Sequence, residues 1–275
     1  MTCNFLTGEV RQYKLVSMRA LAISNQKGGV GKTATAHNLG AILAGDGLRV
    51  LLVDVDPQSS LTQTCRAGDV AGRSLAEVLG GAQPGRLPLS GAIVDLGGGL
   101  AIAPGDIALA AAELGLTSRL GREGVLKKAL ATVARDYDLI LIDCPPSLGL
   151  LTVGALAAAN AVLVPIQAET VALRGLQLFL STIGQIRQEL NPDLLLLGVL
   201  VTFFDARLTH HKQALEAMQS AGIPVLPVLI GRSIRVAEAA GAGQSVATFE
   251  PANPQAENYK QLAEVVRRWL KSKQG

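Results

Sequence analysis

Seven short aliphatic runs punctuate this chain, and stretches of helical pattern lie between them. The runs are ALAISN (20–25), RVLLVD (49–54), LAIAP (100–104), DLILID (138–143), AVLVPI (161–166), LLLGVLVT (195–202) and PVLPVLI (224–230). Helical patterns occupy 33–46, 106–119, 122–135, 148–159, 171–190, 207–221 and roughly 255–272. Strands separated by helices of this length build βαβ crossovers. The sequence therefore predicts an α/β fold, a doubly wound and mostly parallel sheet flanked by helices. Hydrophobic residues make up 49% and aromatics only 3%, the aliphatic interior expected of strands covered on both faces.

A chain of 275 residues without internal repeats buries one core, so 19–275 reads as a single domain. Residues 1–18, ending at Met18, read as a loosely ordered N-terminal extension with no apolar stretch of a secretory signal. Segment 66–99 lacks periodicity and reads as a surface excursion with a short helix near 74–79. The longest uncharged stretch, Cys144 to Ala168, is broken by three prolines and two glycines, which points to core rather than a membrane span. Cys3, Cys65 and Cys144 have no metal or redox spacing, so a reduced cytoplasmic protein is the reading. A formal net charge of +3 marks no nucleic-acid surface by itself; that would need clustered charge.

Between the first run and the first helix stands Gln26-Lys27-Gly28-Gly29-Val30-Gly31-Lys32-Thr33. Glycines here let the backbone take positive φ and curl its N–H groups around phosphate, above a helix N-terminus whose dipole favours anions. In such a loop Lys32 bridges the β- and γ-phosphates of ATP and the Thr33 hydroxyl binds Mg²⁺. Gly28, Gly29, Val30, Gly31 and Ala34 complete the cradle. Two other runs end in carboxylates: RVLLVD leads into Asp54-Val55-Asp56, and DLILID ends at Asp143, the Mg²⁺-holding position after four apolar residues.

Gln26 stands where the general loop has glycine, and Lys27 adds a second lysine that phosphate binding within one subunit does not require. This KGGVGKT form resembles the deviant phosphate loop of the ParA/MinD family. IDCPPSLGLLT (142–152), PIQAETVALRGLQ (165–177), VTFFDAR (201–207) and IRVAEAAGAGQSV (234–246) are similar to the Soj-like partition ATPases of that family. The resemblance spans about 19–271. It implies an ATP-bound homodimer in which Lys27 reaches the partner's nucleotide, Asp56 activates the attacking water and Asp54 supports the metal's outer shell. It further implies nucleoid association through non-specific DNA binding by Arg207 and Arg235, extended by Arg232 and Lys212, and a ParB-type partner that triggers weak hydrolysis.

Three departures from the family pattern stand out. Ala34 replaces a threonine whose hydroxyl would reach the α-phosphate. GRSIR (231–235) lacks a proline that the resemblance places near adenine. QAETVAL departs from a segment that is often aromatic or acidic. Two alternatives share the same loop. A MinD-like membrane ATPase would use the C-terminal stripe of Leu262, Val265, Val266, Trp269 and Leu270; a ParA-like ATPase could instead position a protein cargo.

Overall fold

The computed structural model describes residues 19–169 and 172–272; the extension read at 1–18 lies outside the described residues. The first half contains β1 (Ala20–Ile23), α1 (Lys32–Gly45), β2 (Val50–Asp54), α2 (Ser60–Thr64), α3 (Leu75–Leu79), α4 (Leu89–Ala92), β3 (Val94–Gly97), β4 (Leu100–Ala103), α5 (Ala108–Leu116) and α6 (Val125–Ala131). It continues with β5 (Leu139–Asp143), α7 (Leu150–Ala158), β6 (Ala161–Gln167), α8 (Ala172–Glu189) and β7 (Leu195–Phe204). The chain closes with α9 (Thr209–Ser220), β8 (Val225–Gly231), α10 (Ile234–Gly241), α11 (Val246–Phe249) and α12 (Pro254–Ser272).

Eight strands form one sheet in the order β3-β4-β2-β5-β1-β6-β7-β8. Every pairing is parallel except β3 with β4. Alternation along the strands divides the core into two layers. Leu21 and Ile23 of β1 and Leu52 of β2 pack with Leu39 and Leu43 of α1 and with Tyr259, Leu262 and Val266 of α12. Ala20, Ala22, Leu51 and Val53 face the opposite layer, which holds Leu109, Leu126, Leu156, Phe179 and Ile183. Both faces are covered, as the continuous aliphatic runs require.

Two sequence expectations need correction. Segment 66–99 does carry the short helix α3, but it also returns to the sheet as the antiparallel edge strand β3. Only one face of β3 is covered, so Val94, Asp95, Leu96 and Gly97 alternate between half-buried and exposed and never form an aliphatic run. The pattern at 122–135 is shorter than expected, a 3₁₀ turn at Arg122–Gly124 followed by α6.

The C-terminal stripe meets the core. Leu262, Val266 and Trp269 are buried against α1 and β8, with Val265 and Leu270 packed at the margin. Among the described residues no helix is long and apolar enough to cross a membrane.

Candidate active site

Three strand ends meet at one level of the sheet. β5 lies between β1 and β2, and the register pairs both Ile23 and Asp54 with Asp143. The carboxylates that end β2 and β5 are therefore neighbours, and the chain leaving β1 enters the glycine loop beside them. The crossover from β1 to β2 runs one way along the sheet and that from β5 to β6 runs the other. The loop consequently sits at the switch point where open α/β sheets bind ligands.

Gly29 and Gly31 take φ of 72° and 83°, the left-handed region that disfavours any side chain; Gly28 is not among the positive-φ residues. Val30 is buried, and its carbonyl accepts a hydrogen bond from Thr202 Oγ1 at 2.9 Å. Lys32 opens α1 and is buried, with Nζ donating to the Lys27 carbonyl at 3.2 Å. Burial lowers its pKa, while Asp143, Cys144 and Asp56 pull it back up. One position on, Thr33 Oγ1 donates to Asp143 Oδ2 at 2.7 Å. Ala34 offers only a methyl group there, and its carbonyl accepts from the Asn38 amide.

Asp143 is buried, and its Oδ1 has no hydrogen-bond partner. Burial pushes its pKa well above the ordinary carboxylate range and Asp54 adds to the effect, opposed by the Thr33 hydroxyl and Lys32. A buried carboxylate with one free oxygen beside a hydroxyl suits a hard cation that takes its other ligands from phosphate and water. No cluster of three His, Cys, Asp or Glu residues that could hold a metal unaided occurs among the described residues.

Asp54 is fully buried and has committed oxygens. Oδ2 accepts from the Thr62 amide at 2.8 Å and its hydroxyl at 2.7 Å, and Oδ1 accepts from the Asp56 amide at 3.2 Å. Burial still raises its pKa to about 6, against the pull of the Thr62 hydrogen bonds. Asp54 thus fastens the loop that presents Asp56, which is half-buried and close enough to Lys32 to act on its charge.

Lys27 stands outside the cradle. It is half-exposed, ion-paired with Glu169, and 3.5 Å from Gln167 Oε1. Gln167 in turn donates to the Gly29 carbonyl at 3.1 Å. The site therefore holds one lysine within the loop and one on its outer surface. Thr62 lies in no quoted motif, and Gln167, Glu169 and Thr202 lie in the segments 165–177 and 201–207 without any assigned role; only the fold brings the four to the loop.

Arginines gather at another strand pair. The register of β7 and β8 matches Phe204 with Gly231, which sets the loop bearing Arg207 beside the one bearing Arg232 and Arg235. Arg207 is exposed and doubly bonded to Asp205. Arg235 pairs with Glu238 at 2.7 Å and Glu250 at 3.4 Å. Arg232 lines a cavity of about 380 Å³ together with Gly29, Glu169, Phe203, His211 and Asp205, the partner of Arg207. Lys212 follows His211 on α9.

The other polar candidates are structural. His211 Nδ1 accepts from the Asp205 amide at 3.0 Å. His37 is buried in α1 and kept neutral by a pKa lowered to about 4. Burial raises the Cys65 and Cys144 thiols to about 12, which leaves them unreactive at neutral pH.

A glycine loop at a switch point, with a lysine folded into it and a hydroxyl–carboxylate pair beneath, defines a P-loop nucleotide-binding α/β domain. Residues 18–196 match the family described as AAA domain. Over 252 residues the chain is 44% identical to the chromosome-partitioning ATPase Soj of Thermus thermophilus, covering 90% of this chain and 95% of that one. It is 41% identical over 251 residues to the sporulation initiation inhibitor protein Soj of Bacillus subtilis, covering 90% and 98%. The chain belongs to the Soj/ParA family of partition ATPases. Among solved structures it is similar to a Mycobacterium smegmatis protein named cobyrinic acid a,c-diamide synthase, with bound ATP analog and magnesium. That likeness has 42% identity and a TM-score of 0.78, and covers 92% of this chain and 96% of the other.

Proposed function

We propose that this protein is an ATP-gated partition ATPase of the cytoplasm. It dimerises with ATP, binds nucleoid DNA without sequence preference, and releases it when a ParB-type partner stimulates hydrolysis. The observation that carries this reading is the pair of lysines. Lys32 already occupies the loop interior, so Lys27, half-exposed at its rim, can exchange its ion pair with Glu169 for a nucleotide held by a second subunit. A cation delivered across an interface to the γ-phosphate is worth roughly 10³–10⁵ in rate in related phosphoryl-transfer systems.

In this reading the amides of 28–34 and Lys32 hold the phosphates of ATP. Thr33 and Asp143 would hold Mg²⁺, which when bound neutralises phosphate charge; the free Oδ1 of Asp143 and the magnesium of the M. smegmatis structure support this. Asp56 orients the attacking water, and Asp54 keeps the Asp56 loop in place through the Thr62 and Asp56 hydrogen bonds. Ala34 loses a hydroxyl contact to phosphate but keeps its amide. Arg207 and Arg235, both exposed, contact DNA phosphates, exchanging the half-buried Asp205 and the exposed Glu238 as partners for phosphate at small cost. Arg232, beside Gly29, is better placed to serve the nucleotide or the dimer interface.

The buried stripe on α12 weighs against a MinD-like membrane role. Amide synthesis, the activity in the M. smegmatis protein's name, leaves Lys27 without a task. The test is DNA binding with ATP, ADP and no nucleotide at several salt concentrations, with liposome sedimentation alongside. The expected result is salt-sensitive binding with ATP only and no pelleting. Binding indifferent to nucleotide, or none at low salt with ATP, contradicts the DNA role, and ATP-dependent pelleting favours the membrane role. Asp56→Ala should accumulate a long-lived ATP dimer, read as a doubled solution mass.

A further inference from the structure

One side chain, Arg66, reaches from the segment that follows the nucleotide loop to the arginine-bearing α10. It follows α2, the short helix after the Asp54–Asp56 loop. Two non-glycine residues in the left-handed region bracket that helix, Ser59 with φ of 50° and Arg66 with φ of 51°. Such backbone is uncommon outside glycine and persists where the surroundings hold it. At the near end, the anchor is Asp54 gripping Thr62 within α2. At the far end, Arg66 Nη2 donates to the Gly241 carbonyl at 2.6 Å. Gly241 is the last residue of α10, so the guanidinium sits at the negative end of that helix, where a cation is favoured.

Gly243 makes room for this contact. It has φ of 74°, and a Cβ there would lie 2.9 Å from Arg66 Cδ. The side chain also borders a cleft of about 440 Å³, lined in part by His37, Asp95 and Gln244, so its displacement meets open space rather than packed core. At the other end of the same α10 stands Arg235.

We propose that Arg66 is a positioning residue that transmits the state of the Asp54–Asp56 nucleotide loop to α10, setting when Arg235 is presented to DNA. The proposal rests on the nucleotide and DNA roles given above. A shift of the Asp56 loop moves Thr62 through Asp54, and α2 carries the shift to Arg66. The Gly241 carbonyl then passes it to α10, which is otherwise held by the buried Ala239, by Val236 packed against the core and by the exposed Arg235–Glu250 ion pair.

Two measurements test it, on wild type, Arg66→Gly and Arg66→Lys. Glycine adopts the left-handed backbone without strain, so Arg66→Gly keeps the local fold and loses the strut. The first measurement is hydrogen exchange of the 234–241 amides with ATP and with ADP, which requires no DNA. Wild type should show nucleotide-dependent protection of α10, Arg66→Gly should lose it, and Arg66→Lys should retain part. The second is the ratio of DNA affinities in the ATP and ADP states, which Arg66→Gly should narrow by roughly fivefold or more, at the low end of common allosteric couplings. Exchange in α10 that ignores nucleotide in wild type, or that is unchanged in Arg66→Gly, overturns the proposal. Wild type that shows protected α10 yet binds no DNA in any state refutes the DNA reading and leaves the relay standing.

Discussion

The phosphate-loop end and the β7–β8 end of the sheet are built on opposite principles. At the first, Lys32, Asp54 and Asp143 are buried, and the register of three strands fixes the two carboxylates side by side. At the second, Arg207 and Arg235 are exposed and paired with carboxylates of their own neighbourhood. Burial makes each charge at the first end costly unless a ligand or partner group answers it. Exposure makes each pair at the second end cheap to exchange. One end is suited to holding a defined ligand rigidly, the other to gripping and releasing a polyanion.

That contrast can be broken by substitution, starting where the effect is largest. Lys32→Ala should lower ATP hydrolysis by roughly 10²–10³, as for the loss of one preorganised electrostatic donor; a steady-state phosphate-release assay reads it. Next comes His37. The fold keeps it neutral down to about pH 4, whereas the unfolded chain protonates near 6.5. The unfolded state therefore binds the extra proton between those values, and stability falls as pH drops through that window. Relative to His37→Leu, wild type should lose about 3 kcal/mol of unfolding free energy between pH 7 and 4 in urea titrations.

Thr62→Val removes the hydroxyl's hydrogen bond to the buried Asp54 carboxylate and the one that the hydroxyl accepts from the Gly105 amide. The hydroxyl bond alone is worth about 1.5–3 kcal/mol, and thermal unfolding should show the loss. Smallest are Arg207→Ala and Arg235→Ala. Each should leave stability within about 0.5 kcal/mol and reduce the salt dependence of DNA binding by about one phosphate contact. A stability loss there as large as at Thr62 would erase the distinction between the two ends.

The sequence made the buried end legible and the exposed end only partly so. Aliphatic runs are long enough to reveal seven strands, and the glycine loop lies between two of them. β3, α2, α10 and α11 were not legible: they span four to eight residues, too few for periodicity, and β3 covers only one face. The pairings of Thr62 with Asp54 and of Glu169 with Lys27 escaped for another reason. A threonine eight residues beyond Asp54, or a glutamate 142 residues beyond Lys27, meets its partner only through the fold. Arg66 likewise becomes noticeable only when its left-handed backbone and its reach to Gly241 are seen together.

Lys27 belongs to neither end cleanly, being an exposed charge at the rim of a buried site, and the account depends on it most. The direct measurement is the ATP hydrolysis rate of Lys27→Ala beside wild type at saturating ATP, with nucleotide affinity measured on the same samples. The account predicts hydrolysis reduced by roughly 10³ or more, with some nucleotide binding by the monomer retained through Lys32 and the loop amides. Hydrolysis at the wild-type rate would contradict the cross-subunit role and, with it, the ATP-gated dimer.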